Sequence, residues 1–203
     1  IKISMKKKII ITGGLGYIGT ELCKLYSGVS WHHNIIVIDN RFISERVNQI
    51  RNWNMEFIQG DILDTNLIRT YCKDADVIHH LAGITDVPRT RSESLKSQDE
   101  KIQEVGEKGT QNILDTISDT CKIIFPSTHV VYEGIKEVKT DIKENEELKP
   151  VLSYSSSKAF NENQLKKSGK NFVILRLGSV YGYSTDSMRI DIMPNLFSKI
   201  ASQ

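Results

Sequence analysis

Tyr154 and Lys158, the ends of Tyr154-Ser155-Ser156-Ser157-Lys158, can do proton chemistry together if a helix carries them. Residues four apart share one helical face, so phenol and ammonium would open into the same cleft. A free tyrosine, with a pKa of about 10, is a poor base near neutrality. A lysine charge roughly 4 Å away, at an effective dielectric of about 20, is worth about 4 kcal/mol, which would bring the phenol down by roughly three pH units. Thr128 adds a hydroxyl able to hydrogen-bond the same substrate oxygen. A Tyr-x-x-x-Lys pair alone is common on amphipathic helices, so its meaning depends on the elements that position it.

The strongest of these elements is Ile9-Ile10-Ile11-Thr12-Gly13-Gly14-Leu15-Gly16-Tyr17-Ile18-Gly19, a short apolar strand that turns through glycines into a helix. Gly13 permits the tight turn, Gly16 lets the backbone approach a pyrophosphate, and Gly19 lets the helix pack closely on the strand. The helix start, at Tyr17 and Ile18, then offers free N–H groups and a positive dipole end to phosphates. A second apolar run, Asn34-Ile35-Ile36-Val37-Ile38-Asp39, ends in a carboxylate about 20 residues beyond Gly19, the spacing of a ribose-binding acid. Asp39 would accept from the ribose hydroxyls and repel a 2′-phosphate, which favours NAD over NADP. Arg41 pulls the other way, since a guanidinium two residues on can pair with a 2′-phosphate.

Strands are expected near 7–12, 34–39, 55–59, 76–81, 122–127 and 171–176, and helices near 17–27, 44–52, 64–73, 95–119 and 152–168. Such alternation predicts an α/β fold, a Rossmann-type doubly wound parallel sheet with helices on both faces, its ligand at the carboxyl ends of the strands. Asp61, Leu81-Ala82-Gly83 and Ser127-Thr128 all fall at such ends. The charged stretch 133–150 reads as a surface excursion between strand and helix, of a length that often borders a site.

Bulk properties narrow the classes. At 203 residues the chain can bury a sizeable core. A net charge of +2 gives no reason to invoke nucleic acid or an anionic membrane, and Lys6-Lys7-Lys8 reads as a solvated lead-in to the first strand. No apolar stretch approaches a membrane span, and Ile1 to Met5 lacks the apolar region of a secretory signal, Met5 being a plausible natural start. Cys23, Cys72 and Cys121 show no paired metal spacing and read as ordinary cytosolic thiols, so the expected location is cytoplasmic and no metal is expected.

Taken in order, these segments resemble an extended short-chain dehydrogenase/reductase of the NAD-dependent epimerase/dehydratase family of nucleotide-sugar enzymes. The matching pieces are Thr12 to Gly19, Asp39, Gly60-Asp61-Ile62, His80-Leu81-Ala82-Gly83, Gly109-Thr110-Gln111-Asn112, Ser127-Thr128 ahead of Val131-Tyr132, Tyr154 to Lys158, and Leu175-Arg176 through Val180-Tyr181-Gly182. The resemblance implies that Tyr154 is the acid/base, that Lys158 lowers its pKa and holds the nicotinamide ribose, and that Thr128 binds the reacting hydroxyl. It implies cofactor contacts at Asp39 and Asn40, adenine contacts at Asp61 and Ile62, and a cofactor-lining segment at Leu81, Ala82 and Gly83. The reaction implied is hydride transfer from a sugar carbon to NAD and its return to the opposite face, an epimerisation of a nucleotide-sugar. A homodimer through the helices near 95–119 and 152–168 is also implied.

Five positions depart from the family. His129 and Val130 stand where sugar 4,6-dehydratases carry Asp and Glu, which disfavours dehydration. Gly106 replaces an asparagine three residues before Gly109-Thr110, Ser179 a substrate-binding asparagine, and Glu133 the glycine after Val-Tyr. Family members also continue for a hundred or more residues, so 5–182 is expected to be the NAD-binding domain and 183–203 the start of an incomplete carboxyl-terminal substrate region. Two other readings stay open: a reductase of a non-nucleotide carbonyl such as a steroid or flavonoid-like compound, and a non-catalytic NAD-binding sensor.

Overall fold

In the computed structural model the described residues are 6–85, 95–184 and 187–203. Strands and helices alternate as β1 (Lys8–Thr12), α1 (Tyr17–Ser27), β2 (Asn34–Asp39), α2 (Ser44–Asn52), β3 (Glu56–Gln59), α3 (Thr65–Cys72), β4 (Val77–His80), α4 (Lys96–Gln103), α5 (Gly109–Thr116), β5 (Lys122–Thr128), α6 (Ser153–Lys167), β6 (Asn171–Leu177) and α7 (Met193–Ala201). The six strands form one sheet in the order β3-β2-β1-β4-β5-β6, with every neighbouring pair parallel. This is the doubly wound Rossmann-type arrangement, and its order reverses between β1 and β4.

The strand sequences explain the two-sided core. Central parallel strands are covered on both faces and so read as unbroken Ile/Val runs. Ile9, Ile11, Ile35 and Val37 point to one face, where Leu15, Cys23, Val47 and Ile50 meet them. Ile10, Ile36, Ile38, Ile78, Ile123 and Phe125 point to the other, against Ile68, Cys72, Ile113, Leu114 and Leu165. The same alternation turns His80 of β4 into the second face and buries it completely.

One expected element differs. The helix anticipated over 95–119 runs from Lys96 only to Thr116 and is opened midway by a π turn, Glu104–Lys108, between α4 and α5. Gly106 sits in the middle of that turn, where the absent side chain lets the wider i→i+5 turn approach α6. The helix ends early because Ile117 is extended, at ψ 150°. Residues 133–150 form the anticipated excursion without helix or strand, pinned where Gly134 N–H donates to Lys149 O (2.8 Å) and Lys149 N–H to Val131 O (2.8 Å). Among the described residues no helix is long and apolar enough to cross a membrane.

Candidate active site at the carboxyl ends of the strands

The glycine turn leaves β1 at the point where the strand order reverses. Gly13 has φ +69°, and a Cβ on it would lie 2.7 Å from the Ala82 backbone nitrogen, so only glycine lets β1 and the segment after β4 run this close. Gly16 begins α1 without a side-chain cap, which leaves the N–H groups of Tyr17, Ile18 and Gly19 facing out of the helix end. The Tyr17 hydroxyl donates to Gly182 O. Asn195 of α7 closes this tie: its Nδ2 donates to Tyr17 Oη (3.4 Å) and Arg189 O (2.8 Å), and its Oδ1 accepts from Gly182 N–H (3.0 Å).

Asp39 ends β2 beside this turn and is buried. Its carboxylate accepts from Leu15 N–H (3.0 Å), Arg41 N–H (3.0 Å) and the Arg41 guanidinium (3.1 and 3.3 Å). Arg41 thus lies folded over the acid, at the edge of the glycine turn. Asn40 Nδ2 donates to Asp61 Oδ2 (3.1 Å), while Asp61 Oδ1 accepts from Leu63 N–H (2.9 Å). Ile62 is buried against α5, and Asn112 holds the loop from behind by donating to Ile62 O (3.0 Å). The expected adenosine contacts Asp39, Asn40, Asp61 and Ile62 therefore form one connected rim.

Beyond β4, Thr12 Oγ1 accepts from Ala82 N–H (3.2 Å) and meets His80 Nδ1 (2.9 Å), while His80 Nε2 meets Thr110 Oγ1 (3.1 Å). Burial, with Lys158 nearby, pushes the His80 imidazole down to about 3. It is neutral near pH 7 and acts as a fixed strut that aims Leu81, Ala82 and Gly83 across the switch point. Sequence reasoning assigned His80 no such part; the pair His79-His80 closing an apolar strand was the signal available.

Tyr154, Ser157, Lys158 and Asn161 fall on one face of α6, at the helical spacing i, i+3, i+4, i+7. With Leu81, Ala82, Gly83, Ile84, Thr85, Ile102 and Gly106 they line a cavity of about 20 Å³. The phenol is not what anchors Lys158. Its ammonium donates to Pro126 O (2.9 Å) and lies 4.5 Å from the Phe125 ring centroid but 5.9 Å from that of Tyr154. Burial lowers Lys158 to about 8. Burial also raises the Tyr154 phenol, with the Arg189 charge pulling it back. The expected lowering of Tyr154 by Lys158 is thus absent from this geometry: both groups are desolvated, and the carbonyl and aromatic face of β5 hold the cation. Thr128 closes β5, buried, with Oγ1 accepting from Val130 N–H (3.3 Å), which leaves its own proton free to donate.

Two supports of α6 lay outside the sequence reasoning. Glu133, which replaces the family glycine, accepts from Val151 N–H (2.8 Å), Leu152 N–H (2.8 Å) and Ser155 Oγ, and so caps the helix that carries Tyr154. Glu162 is fully buried and pairs with Arg176 (2.9 and 2.6 Å), Ser127 Oγ (2.7 Å) and Lys166 (3.4 Å). Burial works to raise its carboxyl, but the hydrogen bonds from Arg176 and Ser127 outweigh it and hold the acid below its usual range. Glu162 follows Lys158 by one helical turn, and an acid on a buried face was its only signal. A larger cavity, about 550 Å³, opens beside His129, Val130, Lys143 and Arg176 and includes neither Tyr154 nor Lys158. Among the described residues no three His, Cys, Asp or Glu side chains are placed to hold a metal ion.

A doubly wound sheet with a glycine turn, an acid closing β2 and a Tyr/Lys pair over the switch point defines a dinucleotide-binding protein of the short-chain dehydrogenase/reductase type. The model of the "NAD dependent epimerase/dehydratase family" matches residues 9–203, and the chain belongs to that family. It is 30% identical over 197 residues to a dTDP-D-glucose 4,6-dehydratase of Dictyostelium discoideum, covering 87% of this chain and 44% of that protein. It is 30% identical to a UDP-glucose 4-epimerase of Neisseria meningitidis serogroup C, covering 62% of this chain and 38% of the relative. The solved UDP-glucuronic acid 4-epimerase from Bacillus cereus, in complex with UDP-glucuronic acid and NAD, superposes with a TM-score of 0.74 at 27% identity, over 96% of this chain and 63% of that one. The chain therefore spans less than half the length of the two sequence relatives.

Proposed function

We propose that this chain is the cofactor-binding part of an NAD-dependent nucleotide-sugar epimerase working through a transient keto-sugar. The observation that carries the reading is Tyr154 and Lys158 on one face of α6, sharing with Leu81, Ala82 and Gly83 a cavity at the sheet's switch point. The residues fit a dinucleotide. The uncapped start of α1 at Gly16 faces its phosphates. Asp39 and Asn40 would hold the adenosine ribose, and Asp61 and Ile62 the adenine. NAD, when bound, supplies the hydride acceptor and donor.

In this reading Tyr154 takes the proton of the sugar hydroxyl and returns it, while Thr128 donates to the same oxygen with the proton left free by its Val130 contact. Lys158, anchored on Pro126 O, holds the nicotinamide ribose and favours ionised Tyr154 when both face the ligand. An epimerase is preferred over a 4,6-dehydratase because elimination of water needs an acid and a base beyond the threonine. His129 instead bonds Leu177 O through Nδ1 (3.1 Å), and Val130 has no ionisable group. The proposal extends to a domain division at 5–182 and 183–203, and to a cytoplasmic homodimer paired through α4, α5 and α6, where Phe160 is a large apolar side chain left exposed.

Tyr154→Phe tests the reading. With the natural-length protein and UDP-, GDP- and CDP-sugars, turnover should fall at least about a thousandfold, as when an essential acid/base is removed, with NAD affinity unchanged. Turnover surviving that change would overturn the mechanism. NAD binding without turnover of any sugar nucleotide by the unaltered protein would favour the sensor.

A further inference from the structure

Gly106 and Asn161 face one another in the cavity that also holds Tyr154 and Lys158. Gly106 lies in the π turn facing α6, where a Cβ would collide with Ser157 Oγ and stand 3.6 Å from Asn161 Nδ2. Asn161 is 2% exposed, and its Oδ1 has no hydrogen-bond partner. Such orphaned buried acceptors are rare in folded proteins and commonly mark a bound water. The cavity lined by Gly106, Tyr154, Ser157, Lys158 and Asn161 measures about 20 Å³, room for one water.

We propose that Asn161 holds a single water in this cavity against Lys158, in the space that Gly106 leaves open. Asn161 is then a positioning residue for Lys158. An ammonium has three donors; among the described residues Pro126 O is the protein acceptor Lys158 meets. A water accepting from Lys158 and donating to Asn161 Oδ1 would satisfy both, with Ser157 Oγ as its third neighbour. The other groups facing Lys158 leave this place to the water. His80 of β4 is neutral, β5 offers the Phe125 ring and the Pro126 carbonyl, α6 itself offers Tyr154, and Arg189 acts on the Tyr154 phenol. Ile102 and Gly106 bring no charge from the opposite helix. Gly106 and Asn161 also explain one another: a side chain at 106 would fill the space the water needs.

The inference rests on Tyr154 and Lys158 being the reacting pair, but its tests do not use turnover. A crystal structure with ordered solvent should show one water within hydrogen-bonding distance of Asn161 Oδ1 and Lys158 Nζ; a dry cavity would overturn the proposal. The Lys158 midpoint, followed by NMR of 13Cε/15Nζ-labelled lysine and assigned with Lys158→Arg, should fall by about one pH unit in Asn161→Leu, the equivalent of one charge-assisted hydrogen bond. In Asn161→Asp it should rise. If Asn161→Leu does not fold, Asn161→Ala should give the same downward shift. A midpoint unmoved in folded variants would sink the idea and leave the Tyr154→Phe result standing.

Discussion

Arg41 is the residue on which cofactor choice turns. It lies folded on Asp39 through its guanidinium, so the acid that should exclude a 2′-phosphate is bound to the cation that could receive one. On the proposed reading Asp39 would keep NAD the better ligand, while Arg41 would soften the penalty on NADP. Arg41→Ala should weaken NADPH binding about tenfold, the loss of one charge-assisted hydrogen bond, and change NADH binding by less than about twofold. Titrations of nicotinamide fluorescence would check this; equal losses for both cofactors would make Arg41 merely structural. At the same scale Tyr154 and Lys158 show what pair spacing omits. Their shared face was readable from i, i+4, but the hold of Pro126 O and the Phe125 ring on the ammonium depends on a strand 32 residues away.

Helix α6 owes its start to a residue from another element. Leu152 cannot cap it by side chain, and Glu133 does so from the turn after β5, which also adds a carboxylate at the positive end of the helix dipole. Glu133→Ala should cost about 1 kcal/mol, measured by denaturant unfolding, and should raise hydrogen exchange in the first turn, where Tyr154 sits. A variant as stable as the parent, with unchanged exchange, would remove Glu133 from this role. The strands were legible because buried parallel strands leave unbroken Ile/Val runs, and their observed ends fall within a residue of those expected. The long helix was legible in place but not in form: the π turn arises from packing Gly106 against Ser157, a contact no local pattern encodes. Glu133 and Glu162 were hidden for the same reason, each being defined by a partner distant in sequence, and Asn161 because the cavity it lines is closed by Gly106 from another element.

Over the whole molecule, buried bases and buried thiols both shape the response of stability to pH. His80 is lowered from about 6.5 to about 3 and Lys158 from about 10.5 to about 8, so in both cases the unfolded chain holds the proton over a range where the folded one does not. Stability should therefore fall as pH drops from 6.5 toward 3, with His79, lowered by its own burial, acting in the same direction. Lys158 by itself adds stability between about 8 and 10.5, where the folded protein no longer shelters an ammonium, while the buried thiols Cys23, Cys72 and Cys121, raised from 9.0 to about 12, 12 and 11, take stability away above about 9. Melting temperatures across pH would show the acid limb; the stability of the protein relative to Lys158→Met should grow from about pH 8 to 10.5, and a difference that stays constant over that range would refute the Lys158 assignment. The tie among Tyr17, Gly182 and Asn195 carries a consequence for synthesis. The bond from Asn195 to Tyr17 closes over 178 residues. At about 5–20 residues per second, the ribosome delivers Asn195 roughly 10–35 s after Tyr17, so the nascent glycine turn spends that interval without its lock, until α7 arrives.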